Sequence, residues 1–150
     1  MAETTLIILK PDAVQRKLMG RIIARFEDKG LQIAGAKFMR ITPELAGQHY
    51  AEHQGKPFYD GLVGFMTSNP VLVLAVRGDS AIEVCRRLLG KTNGIEAEPG
   101  TIRGDFGLSK GYNLVHGSDS AESAKRELAL FFKADELHDY EQTVGTWITE

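Results

Sequence analysis

The pattern of apolar and polar positions divides the chain into nine elements. Thr5 to Leu9 is a β-branched and apolar run that reads as a buried strand. Lys10-Pro11-Asp12 closes it, because proline lacks the ladder donor and restrains its neighbour. Gly20 to Lys29 carries Ile22, Ile23 and Phe26 on one helical face, with Gly30 as its stop. Leu31 to Met39 alternates apolar residues and predicts a second strand. Thr42-Pro43-Glu44 starts a helix carrying Leu45, His49 and Tyr50, with Thr42 as cap and Pro43 in the first turn. A short helix is expected from Tyr59 to Met66. Asn69-Pro70 marks a turn before Val71 to Val76, the clearest buried strand. Ser80 and Glu83 fit a capping box for a helix running to Leu89 and ending at Gly90. Lys91 to Gly111 reads as a long glycine-rich loop, and a connector of that length points to function. Leu114-Val115 forms the middle of a short last strand. Asp119 with Glu122, then Ala124, Leu128, Phe131 and Phe132, predicts a capped amphipathic helix. In the tail, Val144, Trp147 and Ile148 are the apolar residues expected to dock on a neighbour. This order suits an α+β fold, a ferredoxin-like split β-α-β sandwich with a four-stranded antiparallel sheet covered by helices.

No linker or repeat interrupts the 150 residues, so residues 1–150 are expected to be one domain. Apolar residues make up 43% and charged residues 25%, which argues against disorder or a fibrous class. Eighteen basic against twenty acidic residues give a net charge of −2, which does not suit a nucleic-acid coat or a cationic membrane binder. With Cys85 as the single cysteine, an intramolecular disulfide and a Cys-rich zinc site are excluded. No signal peptide or spanning run is visible, so a soluble, cytoplasmic protein is the expectation.

Several motifs fail. Gly90-Lys91-Thr92 looks like the end of a phosphate loop, but Cys85 stands where its first glycine belongs. His49 and His53, four apart, have a metal-ligand spacing without an obvious third ligand, and read as two partly exposed helix histidines. The informative stretch is Asn113 to Ser120. His116 ends an apolar strand, Gly117 leaves space beside the ring, and a helix N-terminus follows, where anions are stabilised. Glu127 lies about two turns into that helix and can reach back to orient a ring nitrogen. A neutral imidazole keeps a lone pair near neutral pH and is a competent phosphoryl acceptor. Phosphoryl transfer also needs cations, and Lys10, Arg86 and Arg103 are the candidates. Each alone reads most often as a solvated surface charge, and spacing does not place the three together.

Along nearly its whole length the chain resembles the nucleoside diphosphate kinases. The resemblance rests on Lys10-Pro11-Asp12, His49-Tyr50, Lys56-Pro57-Phe58, Gly90 to Asn93, Pro99 to Asp105 and Asn113 to Ser120. It implies that His116 is the phosphorylated nucleophile, with Glu127 and Ser118 orienting it. It implies phosphate and sugar contacts for Lys10, Tyr50, Arg103 and Asn113, a grip on the nucleotide phosphates by Arg86 and Thr92, and base stacking on Phe58. Stacking reads a face that every base has, so broad base tolerance follows. The resemblance further implies ATP and other nucleoside tri- and diphosphates as substrates. Mg²⁺ would be carried on their phosphates, with Asp119 reaching it through water. A homo-oligomer is implied, and the long tail favours a hexamer over a tetramer or dimer. Tyr112 stands where arginine is usual and Gly94 where proline is usual. Gly94 is expected to loosen its loop, and Gly107 to Lys110 is less apolar than a strand leading to the histidine would be. The alternative from a different class is a non-catalytic nucleotide sensor or a single-stranded nucleic-acid platform. The latter needs a basic, aromatic sheet face, which 8% aromatics and strands without an aromatic cluster do not supply.

Overall fold

The computed structural model describes residues 2–150; Met1, inside the expected domain, lies outside the described residues. Strand β1 (Ala2–Leu9) is followed by helices α1 (Pro11–Gln15) and α2 (Met19–Asp28), and then by β2 (Gln32–Met39). Helices α3 (Pro43–His49) and α4 (Tyr59–Thr67) lead to β3 (Val71–Asp79) and α5 (Ala81–Leu89). Helix α6 (Ile102–Phe106), β4 (Val115–Gly117) and α7 (Ala121–Phe131) complete the fold. The strand order is β2-β3-β1-β4 and every pairing is antiparallel, which is the split β-α-β sandwich expected from the element order.

Side chains of a strand alternate between the two faces of its sheet, and here helices cover both faces. On β1, Ile7 and Leu9 meet Ile22, Phe26 and Leu89 on one side. Leu6 and Ile8 meet Tyr50, Met66 and Phe131 on the other. A strand buried on both faces is a continuous apolar run, which is why Leu6 to Leu9 shows no alternation. Ile8 pairs with His116 across β1 and β4. Directly paired residues share a face, so the register places His116 on the α3–α7 side.

Several local expectations need correction. Ser80 does not cap α5: its φ is +55°, left-handed, and its side chain makes no cap bond. Glu3 of β1 replaces it, with Oε1 accepting from the Ile82 amide at 3.0 Å. Helix α7 is capped by Ser120 rather than Asp119, the Ser120 hydroxyl accepting from the Ser123 amide at 3.0 Å. Leu114 lies before β4 at φ +74°, so His116 is the middle of that strand and not its end. The Leu114 turn is held from β1's end, since its amide donates to Asp12 Oδ2 at 3.1 Å and its carbonyl accepts from the Lys10 amide at 2.8 Å. The loop after Gly90 contains α6, whose cap Thr101 accepts from the Gly104 amide. Residues 107–110 form no strand, so their polarity is unremarkable.

The expected looseness at Gly94 is also overturned. Gly94 is buried against residue 107, and a Cβ there would stand 2.4 Å from the Gly107 carbonyl oxygen. In the folded chain the glycine permits a close backbone approach that a side chain would block. We expect Gly94→Ala to destabilise the chain by about 1–3 kcal/mol through overpacking. Thermal denaturation checks this; an unchanged midpoint would contradict it.

Candidate functional site

Three elements converge on His116. Strand β4 holds its backbone, α7 brings Glu127 beneath it, and α3 brings His49 beside it. The His116 Nε2 lies 2.9 Å from Glu127 Oε1, and the Ser118 hydroxyl donates to the same oxygen at 2.6 Å. Glu127 and Ser118 are buried, while His116 is only partly covered. Burial works to raise the Glu127 pKa. The hydrogen bond and charge of His116, together with Ser118, overcome it and hold the carboxyl at about 2. Glu127 is thus ionised at neutral pH and accepts only. In the neutral ring the nitrogen facing it carries the proton, which leaves the His116 Nδ1 lone pair free.

His116 opens into a cavity that Tyr50, His53, Arg86, Asp119 and Arg126 also line. Arg86 reaches it from α5, donating from Nη1 to the Gly117 carbonyl at 3.2 Å. Gly117 does not primarily make room for a ligand, as its place beside His116 suggests. A Cβ there would meet Leu89 Cδ1 at 2.8 Å, so the core of the opposite face needs the glycine. Burial, then the Glu127 charge, raises the Tyr50 pKa, so its hydroxyl is a neutral donor.

Lys10, Arg103 and Asn113 form a second linked group. Lys10 Nζ donates to Asn113 Oδ1 at 2.9 Å, and Asn113 Nδ2 donates to the Thr92 carbonyl at 3.2 Å. The Arg103 guanidinium is buried and donates to the carbonyls of Gly90, Asn113 and Val115 at 2.9, 3.2 and 2.6 Å. It ties the end of α5 to β4. Burial, then the neighbouring Arg86 charge, lowers its pKa to about 10, so it remains a cation at neutral pH. Burial, then Arg103, lowers Lys10 to about 8. Arg103 thus stands between two other cations, acting on Lys10 and acted on by Arg86. Lys10 and Arg103 do not line the His116 cavity itself.

A second cavity is lined by Phe58, Leu62, Phe65, Thr92, Lys110 and Tyr112. Its walls are aromatic and apolar, as a base-stacking cleft requires. His53 joins the two cavities: it lines the first, and its ring centroid is 5.3 Å from that of Phe58. Tyr112 packs on Phe65 at 5.2 Å between centroids.

His49 departs from the partly exposed position expected for it. His49 is buried, not surface-exposed; its ring stands edge-on to His116 at 4.9 Å between centroids and 3.9 Å from Glu127 Oε2. Burial, then the His116 charge, pushes its pKa down to about 3, so it is neutral. His53 lies in a separate turn at residues 51–53, so the two histidines do not share a helix face. Arg126 was also missed, although it adjoins Glu127; its Nη2 is 3.7 Å from Glu127 Oε2. Asp105-Phe106-Gly107 spells a protein-kinase triplet. Its aspartate is committed elsewhere, accepting from the Gly100 amide at 2.8 Å and Arg25 at 2.7 Å.

The nucleoside diphosphate kinase family model matches residues 3–137. A nucleoside diphosphate kinase of Bacillus licheniformis is 57% identical over 146 residues, covering 97% of this chain and 99% of its own. One from Bacillus cereus is 54% identical with the same coverage. The solved structure of a halophilic nucleoside diphosphate kinase from Halobacterium salinarum in complex with CDP superposes with TM-score 0.97 at 50% identity, covering all of both chains. A nucleoside diphosphate kinase family protein from Babesia bovis gives TM-score 0.95 at 48% identity, covering 98% of this chain and 99% of its own. The chain therefore belongs to the nucleoside diphosphate kinase family, and it is a phosphotransferase acting between nucleotides.

Proposed function

We propose that His116 carries the phosphoryl group between two nucleotides, in ping-pong order, through its Nδ1. The observation that carries this reading is the Glu127–His116 contact at 2.9 Å, which fixes the ring of a cavity-lining histidine and leaves its other nitrogen free. A nucleoside triphosphate enters with its base on Phe58 in the second cavity and its terminal phosphate toward His116. Nδ1 attacks the γ-phosphorus, the bond to the β,γ-bridging oxygen breaks, and the diphosphate leaves. A second diphosphate then takes the phosphoryl group by the reverse path. Because the donor and acceptor use the same contacts, one nucleotide site serves both half-reactions.

Arg86 faces the transferring group directly, and Lys10 and Arg103 supply further charge. Asn113 positions Lys10 and anchors the Thr92 loop. Tyr50 presents its neutral hydroxyl, and Ser118 holds Glu127 in place. The nucleotide-binding set is thus Lys10, Phe58, Arg86, Thr92, Arg103 and Asn113, and the catalytic and positioning set is His116, Lys10, Glu127, Ser118 and Tyr50. The substrates are ATP and other nucleoside tri- and diphosphates.

The donor set fits Mg²⁺ carried on the nucleotide rather than caged by protein. The described residues present no cluster of carboxylates around the cavity, and the one close group of potential ligands is rich in nitrogen. Asp119, at the cavity wall, would hold the ion through water. When bound, Mg²⁺ neutralises phosphate charge.

Residues 1–150 are proposed to act as one cytoplasmic domain; no described helix is long and apolar enough to cross a membrane. We assign a hexamer, supported by the outward-facing Ile95, Leu108 and Trp147, which are 72%, 84% and 89% exposed in the single chain. Sedimentation equilibrium should give six chain masses, and a monomer would contradict this.

Incubation with γ-labelled ATP and no acceptor should yield an acid-labile, base-stable phosphoenzyme, absent in His116→Ala. Label retained in that variant would refute the route. The Lys10 ammonium is charged below about pH 8 and loses its proton above it. kcat/KM should therefore fall as pH rises through about 8, and in Lys10→Arg that limb should move to higher pH, since a guanidinium keeps its charge. An unmoved limb would exclude Lys10 as its source.

A further inference from the structure

Beside the reactive histidine and its orienting carboxylate stands a buried imidazole, His49, that phosphoryl transfer does not use. His49, His116 and Glu127 each present one donor atom, and these three atoms lie within 4.8 Å of one another. His49 is 4% exposed, and neither of its ring nitrogens has a hydrogen-bond partner among the described residues. A buried polar group without a partner is uncommon and calls for an explanation. The Glu127 oxygens are also unequal. Oε1 takes both His116 and Ser118, whereas Oε2 faces His49 Nδ1 at 3.9 Å. Two imidazoles and one carboxylate, with a cavity on the fourth side, form the ligand set of an open zinc site.

We propose that His49, His116 and Glu127 bind a divalent ion of the Zn²⁺ class, which competes with phosphorylation of His116. Bonds of about 2.0–2.2 Å to a tetrahedral ion put ligand atoms about 3.4 Å apart. The donors must therefore close in slightly, and His116, the least covered of the three, is free to turn. Mg²⁺ does not compete for this position, because it prefers octahedral oxygen ligands. Nitrogen donors select the softer ions. Arg126 Nη2, 3.7 Å from Glu127 Oε2, opposes a cation, but it is 45% exposed and can swing into solvent. An ion on His116 stops transfer whichever nitrogen it takes. On Nδ1 it occupies the nucleophile. On Nε2 it replaces the proton that holds the ring to Glu127.

The inhibitory part of this inference rests on His116 being the phosphoryl carrier; the binding part does not. Calorimetric titration of Zn²⁺ into the chelator-treated, nucleotide-free protein should give one tight site per chain. His49→Gln should weaken it roughly 10–100-fold, and His53→Gln, at the cavity mouth, should leave it unchanged. X-ray absorption of the wild-type Zn²⁺ complex should show two imidazoles in the metal's shell, a readout that needs no variant to fold. Equal affinity in wild type and His49→Gln, or one imidazole or none in the shell, would overturn the site. Under Mg²⁺-ATP, Zn²⁺ should block phosphoenzyme formation in the wild type, with His49→Gln requiring a correspondingly higher concentration. Zn²⁺ bound at these residues without that block would overturn the competition, while the acceptorless labelling of His116→Ala tests the carrier separately.

Discussion

One carboxylate organises the reactive centre. Glu127 is buried within α7, where an unpaired charge would be strongly disfavoured, yet hydrogen bonds from His116 and Ser118 keep it ionised. Because it is ionised it can only accept, and so it dictates which nitrogen of His116 bears hydrogen. The free lone pair on the other nitrogen follows from that assignment. The fold supplies the rest: the pairing of Ile8 with His116 places the ring on the α7 side of the sheet, and the Ser120 cap fixes where α7 begins.

A second constraint acts on the cations. Arg103 holds three carbonyls from the end of α5 and from β4, and Lys10 is tied through Asn113 to the Thr92 loop. Backbone carbonyls position Arg103, and the Asn113 side chain positions Lys10. Such a site is preorganised: its charges need little rearrangement when a phosphate arrives. Burial, then the Arg103 charge, lowers the pKa of Lys10, and burial, then the Arg86 charge, lowers that of Arg103, a cost that bound phosphates would relieve.

Much of this was legible in the chain. Leu6 to Leu9 and Val71 to Val76 had to be buried strands because their apolar runs are unbroken, and Thr42-Pro43, Gly30 and Gly90 punctuate helices by local chemistry alone. The reach of Glu127 back to His116 was also readable, since both lie within one strand-turn-helix unit. What escaped depends on contacts between distant segments. Ser80 carries a capping-box signature, but Glu3, from the first strand, caps that helix instead. Gly94 seemed a source of slack until residue 107 was found against it. His49 looked like an exposed helix residue because nothing in its own helix reveals that α7 and β4 close over it. The left-handed Leu114 turn is held by Asp12 and Lys10, about a hundred residues earlier, so no local pattern announces it.

The account stands or falls on which ring nitrogen of His116 receives the phosphoryl group. Nitrogen-15 and phosphorus-31 NMR of the isolated phosphoenzyme, with labelled histidine, reads that position directly. The geometry predicts phosphorus bonded to Nδ1, with Nε2 still protonated toward Glu127. A bond to Nε2, or to another residue, would contradict it.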